Sequence, residues 1–266
     1  MLNLIPMAGK GNRFIQKLYR VSKPFIPVMN VPMIIAALKT FPAADSYVFV
    51  CSKQHYDKLK KIVDSFKSNV EIITVEEVTQ GQACTCLLAE EFIEKSNGLF
   101  IASCDYQMVY DEEKYQKLLD NPSIDVIIWT FKIGSIKKAN PEHFAYCRVE
   151  GNRVTEIVEK RTISDLPHLD PAVVGSFTYK KSSLFIEGAK NMIKKNILVN
   201  NEFYAATSIN QLIEKGYNVV AFEIDKFISF GTPFELQLFH YWEDYFTKLQ
   251  DHDYKSKYNN FNLIMR

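Results

Sequence analysis

Short apolar, β-branched runs recur between helix-periodic segments, and this alternation constrains the fold more than any other feature of the chain. Leu2 to Met7, Tyr47 to Cys51, Val70 to Val75, Leu99 to Ser103 and Asp125 to Phe131 each have the length of one buried strand. Helical patterns at 54–66 and 82–94 separate them, and Pro32 suits the first turn of a further helix running to Lys39. Strands alternating with helices predict an α/β fold: a single doubly wound, mostly parallel sheet with helices on both faces.

After about residue 132 the pattern changes. Ala145 to Val149 and Arg153 to Glu159 alternate around Glu150-Gly151-Asn152, which reads as a hairpin, so the sheet is expected to be mixed with an antiparallel subregion. A strand from Val173 to Tyr179, a helix over 181–195, a helix from Tyr204 to Lys215 closed by Gly216, and a last strand from Asn218 to Ile224 follow. Thr232 as N-cap and Pro233 as first helical residue open a C-terminal helix to about Lys248, and the tail from Asp251 is polar. The expected organisation is one domain over 1–240, in two parts (1–132 and 133–230), with the helix and tail of 232–266 packed on it.

A chain of 266 residues that is 47% hydrophobic can bury a sizeable core. Its 32 basic and 31 acidic residues are interspersed, and a net charge of +1 gives no global field for nucleic acid or an anionic membrane. No segment approaches a membrane span, and the N-terminus lacks the basic flank and cleavage pattern of a signal peptide, so a cytoplasmic protein is expected. Cys51, Cys84, Cys86, Cys104 and Cys147 sit mostly in apolar contexts and read as buried thiols. Cys84 and Cys86 lack the two-residue spacer of a zinc hook.

The first strand empties into Ala8-Gly9-Lys10-Gly11-Asn12-Arg13, and Ser22-Lys23-Pro24 follows ten residues after the arginine. Gly9 and Gly11 let backbone N–H groups approach an anion, Arg13 offers a planar fork for phosphate oxygens, and Lys23 a compact charge. A plain glycine turn after a first strand is the competing reading. Phe14 stands where a dinucleotide fingerprint needs a third glycine, and the loop lacks the Gly-Lys-Ser/Thr of a P-loop. In a parallel sheet this loop falls where ligands bind, beyond the carboxyl ends of the strands.

Asp105 ends the apolar run from Leu99, at the same sheet edge; it is either a turn residue or a Mg²⁺ ligand sharing the ion with phosphate oxygens. In Glu156-Ile157-Val158-Glu159-Lys160-Arg161, strand alternation places Glu159 and Lys160 on opposite faces. They form a solvated edge or a pair in which Glu159 accepts hydrogen bonds from a substrate and Lys160 meets its phosphate. Asn200-Asn201-Glu202-Phe203-Tyr204 is a helix entry with an N-terminal acid, or a polar pocket wall. No Ser/His/Asp or Cys/His set is evident among the scattered histidines.

Taken together these residues resemble the sugar-1-phosphate nucleotidylyltransferases, or nucleotide-sugar pyrophosphorylases. Ala8-Gly9-Lys10-Gly11-Asn12-Arg13 and Ser22-Lys23-Pro24 match that family's opening signature. Thr79-Gln80-Gly81-Gln82-Ala83 is similar to its base-recognition loop, Ser103-Cys104-Asp105 to its magnesium aspartate, and Val158-Glu159-Lys160 to its acceptor motif. Val174-Gly175-Ser176-Phe177-Thr178-Tyr179 resembles the strand flooring the acceptor pocket, and Phe230-Gly231-Thr232-Pro233 the terminal Gly-Thr-Pro, so the likeness spans 1–240.

The resemblance implies a Rossmann-like nucleotidyltransferase fold and the joining of a nucleoside triphosphate to a sugar-1-phosphate. The products would be pyrophosphate and a nucleotide sugar for surface-polysaccharide precursors. Arg13, Lys23 and Asp105 would be catalytic, with Mg²⁺ on Asp105. Met7, Ala8, Gly9, Lys10, Gly11, Asn12, Gln80, Gly81 and Gln82 would bind the nucleotide, with Gln80 and Gln82 suiting a pyrimidine. Tyr146, Glu159, Lys160, Gly175 and Glu202 would bind the acceptor. The partners expected are a nucleoside triphosphate and a phosphorylated small molecule, without nucleic acid or membrane, the oligomeric state being left open.

Three positions depart from the pattern: Ser229 stands where a second metal aspartate is usual, Cys147 follows Tyr146 in place of glycine, and Arg161 replaces the proline after the Glu-Lys pair. They keep open a cytidylyltransferase acting on a non-sugar phosphate such as phosphocholine or a phosphorylated amino-acid-like compound. A glycosyltransferase and a non-catalytic nucleotide-binding subunit are weaker alternatives.

Overall fold

The computed structural model describes residues 1–66, 69–133 and 141–248; the polar tail from Asp251 lies outside the described residues. Its strands are β1 (Leu2–Met7), β2 (Pro27–Val28), β3 (Val31–Pro32), β4 (Ser46–Ser52), β5 (Val70–Val75), β6 (Leu99–Ile101), β7 (Tyr106–Val109), β8 (Val126–Phe131), β9 (Ala145–Glu150), β10 (Arg153–Glu159), β11 (Ala172–Tyr179), β12 (Val219–Glu223) and β13 (Lys226–Ser229). The α-helices are α1 (Asn12–Ile15), α2 (Met33–Leu38), α3 (Tyr56–Asp64), α4 (Gln82–Leu87), α5 (Glu90–Glu94), α6 (Glu112–Asp120), α7 (Ser183–Lys194), α8 (Ala205–Ser208), α9 (Asn210–Ile213) and α10 (Pro233–Lys248).

Nine strands form one mixed sheet in the order β5-β4-β1-β6-β11-β8-β12-β10-β9. The pairs β4–β5, β1–β4, β1–β6 and β8–β12 are parallel. Among these nine strands, β10 and β11 run against the other seven, so the sheet is mostly parallel in direction. The expected hairpin is present: β9 and β10 pair antiparallel around Gly151, whose φ is +64°, and β9 also touches β11 at Tyr146 and Ala172.

The apolar runs bury both faces because alternate residues serve alternate layers. Leu2, Leu4, Val48 and Val50 pack with Ala83, Cys86, Ile93, Leu184, Phe185 and Leu212 from α4, α5, α7 and α9. On the opposite face Ile5, Phe49, Phe100 and Trp129 meet Ile34, Leu59, Val63 and Tyr115 from α2, α3 and α6. A third cluster joins Phe14 of α1, Met33 of α2, Phe230 just after β13 and Leu236 of α10, so the C-terminal helix packs beside the loop that follows β1.

Two helices expected to be continuous are broken. Over 82–94 the chain tightens to shorter-range bonds (Leu88 N–H to Thr85 O, Ala89 N–H to Cys86 O) and resumes as α5. Over 204–215 the break falls at Ile209, next to Asn210, whose side-chain amide both accepts from Ile157 N–H and donates to Ile157 O at 2.8 Å. That amide docks the α8–α9 pair onto the strand that carries Glu159.

Candidate active site

The loop after β1 opens at the carboxyl end of the sheet, where a cleft of about 830 Å³ runs from Ala8, Gly9 and Lys10 past Ser52, Lys53 and Gln54 to Val75–Val78. Gly11 is left-handed at φ +66° and precedes α1; a Cβ there would also meet the Cβ of Lys23 at 3.4 Å. Gly9 has open space where its Cβ would stand. Met7 is buried in the core, so it offers the cleft backbone alone, whereas Lys10, Asn12 and Arg13 are exposed.

Lys23 begins a one-turn 3₁₀ helix anchored by buried Pro24 and Phe25. Its ammonium lies 5.6 Å from the centre of the Phe14 ring and donates to Asp105 Oδ2 at 2.6 Å and to Gly231 O at 3.2 Å. Burial alone would lower the Lys23 pKa, but the Asp105 carboxylate outweighs it and the net shift is upward, so Lys23 is a fixed cation at neutral pH. Asp105 sits between β6 and β7, held by a bond from Phe230 N–H to its carbonyl at 2.8 Å, and the β7–β13 ribbon brings Ser229 opposite Tyr106. Residues 23, 105 and 229–231, far apart in sequence, thus share one corner.

At the other end of the site, Glu159 closes β10 and is only 8% exposed. The expected alternation fails at the next residue. Lys160 has φ +56°, which swings its side chain back so that Nζ stands 3.5 Å from Glu159 Oε1 and 5.6 Å from the centre of the Tyr204 ring. Burial raises the Glu159 pKa; Lys160 opposes the shift and Glu202 adds to it. Tyr204 is pushed up to about 12 by burial and by the same two carboxylates.

Glu202 does not enter a helix. Asn200 and Asn201, both left-handed, form a two-residue turn closed by reciprocal bonds between Val199 and Glu202, and α8 starts later, at Ala205. Gly175, at φ +95°, lies where the β11–β8 register shifts between Val173 and Phe177, beside the end of β6. Tyr146 is fully buried in the core, so its side chain presents no surface to a ligand. The Gln80–Gln82 loop meets the segment between Glu202 and Tyr204 directly: Phe203 N–H donates to Gln80 O at 2.9 Å and Ala83 N–H to Phe203 O at 3.0 Å. A Cβ on Gly81 would stand 2.6 Å from the Phe203 backbone.

A model of the nucleotidyl transferase family matches residues 2–247. The chain belongs to the nucleotidyl transferase family. Solved structures similar to this transferase include the nucleoside-diphosphate-sugar pyrophosphorylase of Vibrio cholerae RC9, at 21% identity and a TM-score of 0.73 over 90% of this chain and 99% of that one. The inositol-1-phosphate CTP transferase of T. maritima aligns at 15% identity and TM-score 0.71, covering 90% and 93%. A glucose-1-phosphate thymidylyltransferase of Bacillus anthracis, solved with sucrose, aligns at 20% and 0.71, covering 91% and 94%. No curated protein matches the sequence. Among the described residues no helix is long and apolar enough to cross a membrane.

A transferase of this family generally works with a divalent metal, and Asp105, in the turn after β6, is the carboxylate that would hold one, its Oδ2 bonded here to the Lys23 ammonium. A Cβ on Gly231 would stand 3.3 Å from both Asp105 Oδ2 and Ser229 Oγ and 3.5 Å from Glu235 Oε2, so three oxygens from three segments crowd this glycine and a side chain there would displace one of them. Glu235 was not among the residues singled out by sequence. Its visible signal is Thr232-Pro233-Phe234-Glu235, a capping-box spacing, of which the Glu235 N–H bond to Thr232 Oγ1 at 3.2 Å is formed.

Proposed function

We propose that this nucleotidyltransferase joins a nucleoside triphosphate, pyrimidine favoured, to a sugar-1-phosphate, releasing pyrophosphate and a nucleotide sugar for surface-polysaccharide precursors in the cytoplasm. The observation that carries this reading is a pair of lysine–carboxylate sets at strand ends: Lys23 with Asp105 at 2.6 Å in the turn after β6, and Lys160 with buried Glu159 at 3.5 Å beside Tyr204. The first suits a triphosphate and the second a phosphorylated acceptor with hydroxyls.

The acceptor's phosphate oxygen attacks the α-phosphorus, the bond to the β-phosphate breaks, and pyrophosphate departs. Lys160 holds the acceptor phosphate, while Glu159 and Glu202 accept hydrogen bonds from its hydroxyls. Lys23 stabilises charge on the α-phosphate, and Arg13 with the amides of Gly9 to Gly11 on the leaving pyrophosphate. Asp105 would hold Mg²⁺, which when bound supplies charge neutralisation across the phosphates. No protein nucleophile is needed.

The acid pair beside Tyr204 also favours a second reading, a cytidylyltransferase whose acceptor carries an amine or quaternary ammonium. The T. maritima neighbour, which by name transfers from CTP to inositol-1-phosphate, supports acceptors other than aldose phosphates on this fold. A matrix of nucleoside triphosphates against phosphorylated sugars, phosphocholine and small phosphorylated alcohols, read by pyrophosphate release, tests both. Release with UTP, dTTP or CTP and a sugar-1-phosphate is expected; release confined to phosphocholine-like acceptors selects the second reading.

A further inference from the structure

We infer that the C-terminal tail folds back along α10 and covers its outer face, residues 254–265 forming the second arm of a helical hairpin.

α10 is apolar on two sides. Leu236 and Phe239 face inward, in the cluster that holds Phe14 and Phe230 beside the loop after β1. Phe234, Leu238, Tyr241, Trp242 and Tyr245 lie outside that cluster, and each exposes 45% to 61% of its surface. A surface helix normally sets one apolar stripe against a polar face, and a helix apolar on both sides is covered on both. Exposed apolar residues scattered singly need no explanation. Here Tyr241, Trp242 and Tyr245 are in ring contact with one another, and the five together form a continuous strip.

Spacing along the chain identifies the cover. Phe234, Leu238, Tyr241 and Tyr245 recur at intervals of four, three and four, and Tyr254, Tyr258, Phe261 and Met265 repeat those intervals. In helical form each set spans about 16 Å, so the two match in length. Tyr254 follows Tyr245 by nine residues, about two and a half helical turns, so on one continuous helix the two sets would face opposite ways. A reversal of the chain between them turns them towards each other. Asp251-His252-Asp253 has the composition of such a turn, with Asp253 suited to cap a helix that opens at Tyr254. The family match stops at residue 247, short of this segment.

Charge decides between the tail and a second copy of the chain, the competing occupant. Because intervals of four, three and four read alike in both directions, two copies of α10 can also pair antiparallel. That pairing sets Glu235 of one copy level with Asp244 of the other, acid beside acid. Antiparallel pairing with the tail sets Asp244 level with Lys255 instead. α10 carries Glu235, Glu243 and Asp244 against one lysine, whereas the arm from Tyr254 onward carries Lys255, Lys257 and Arg266 and no acid. The tether acts in the same direction: eight residues separate Tyr245 from Tyr254, and a short linker holds the arm at an effective concentration in the millimolar range.

The test reads Trp242. The chain has two tryptophans, and Trp129 is fully buried, so quenching by acrylamide reports on Trp242. In the full-length protein, measured across a dilution series followed by sedimentation, the emission is expected to resist the quencher at every concentration. In full-length protein carrying Tyr258→Asp and Phe261→Asp, about half of the emission, the share of one tryptophan in two, is expected to become accessible. Equal accessibility in the two proteins overturns the inference. So does protection that disappears on dilution into monomers and is indifferent to the substitutions, which assigns the strip to a second copy. Hydrogen exchange of the wild-type protein needs no variant: slowed exchange of the amides in 254–265 is expected, and exchange at the rate of an unstructured peptide overturns the inference whether or not the substituted chain folds.

Discussion

The two halves of the candidate site are built by different means. The half proposed to take the triphosphate hangs on the carboxyl termini of parallel strands: the loop after β1 and the turn after β6 emerge side by side because β1 and β6 pair in register. The half proposed to take the acceptor depends on backbone reversals, at Lys160 with φ +56°, at Asn200 and Asn201, and at the Gly175 register shift. One end is a consequence of sheet topology; the other is assembled from local exceptions to strand geometry. The first should tolerate little chemical change but much neighbouring sequence change, and the second should set the substrate.

The sharpest way to break that contrast is to remove charge at the triphosphate end. Arg13→Ala and Asp105→Ala should each lower turnover by about 10²-fold or more, on the scale of losing one transition-state donor. Pyrophosphate-release rates at saturating substrates measure this, and near-normal rates would remove these residues from the mechanism.

Next in size is the junction. Gly81→Ala forces an L-residue to φ +115° and a Cβ to 2.6 Å from the Phe203 backbone, so it should cost about 1–3 kcal/mol of stability. Thermal unfolding should register it, at about 2–4 °C per kcal/mol for a chain of this size. Because the same contact links the loop proposed to bind the base to the wall proposed to bind the acceptor, the KM values for both substrates should rise together.

Lys160→Ala should raise the acceptor KM about tenfold, equivalent to roughly 1.4 kcal/mol, and leave the triphosphate KM unchanged. A rise in the triphosphate KM instead would erase the division between the two ends.

The smallest effect concerns Glu159. Its pKa is raised by burial, so the folded state resists deprotonation more than the unfolded chain does. That cost is absent below the ordinary carboxylate range and grows as pH rises through the folded-state value. Glu159→Gln should therefore be more stable than wild type at neutral pH, with the gap closing towards about pH 4, near the unfolded glutamate pKa. Denaturant unfolding at several pH values would show it; a gap that widens in acid would contradict the burial argument.

Much of the strand framework was legible because its signals are local. Val70–Val75 and the Arg153–Glu159 hairpin arm fall where periodicity places them, and the Lys23 to Asp105 meeting follows once both are put at one edge of a parallel sheet. The acceptor end was less legible for physical reasons. Alternation assumes extended φ at every residue, and Lys160 breaks it. A Tyr at a pocket-facing motif position reads as a contact until burial places Tyr146 wholly in the core. Helix breaks at Ala89 and Ile209 reflect shorter-range bonding and the Asn210 dock, which no propensity encodes. Glu235 escaped notice because a capping-box glutamate explains itself locally, and only its 3.5 Å approach to the Cβ position of Gly231 shows where its carboxylate stands.

The central claim is that one phosphorus of the triphosphate ends up bonded to the acceptor's phosphate. Phosphorus-31 NMR of a reaction with wild-type protein, Mg²⁺, the preferred triphosphate and its acceptor tests it directly. The account predicts two mutually coupled resonances of a new pyrophosphate linkage, one from each substrate, growing in step with free pyrophosphate. Inorganic phosphate as the product, or pyrophosphate appearing without the coupled pair, would contradict it.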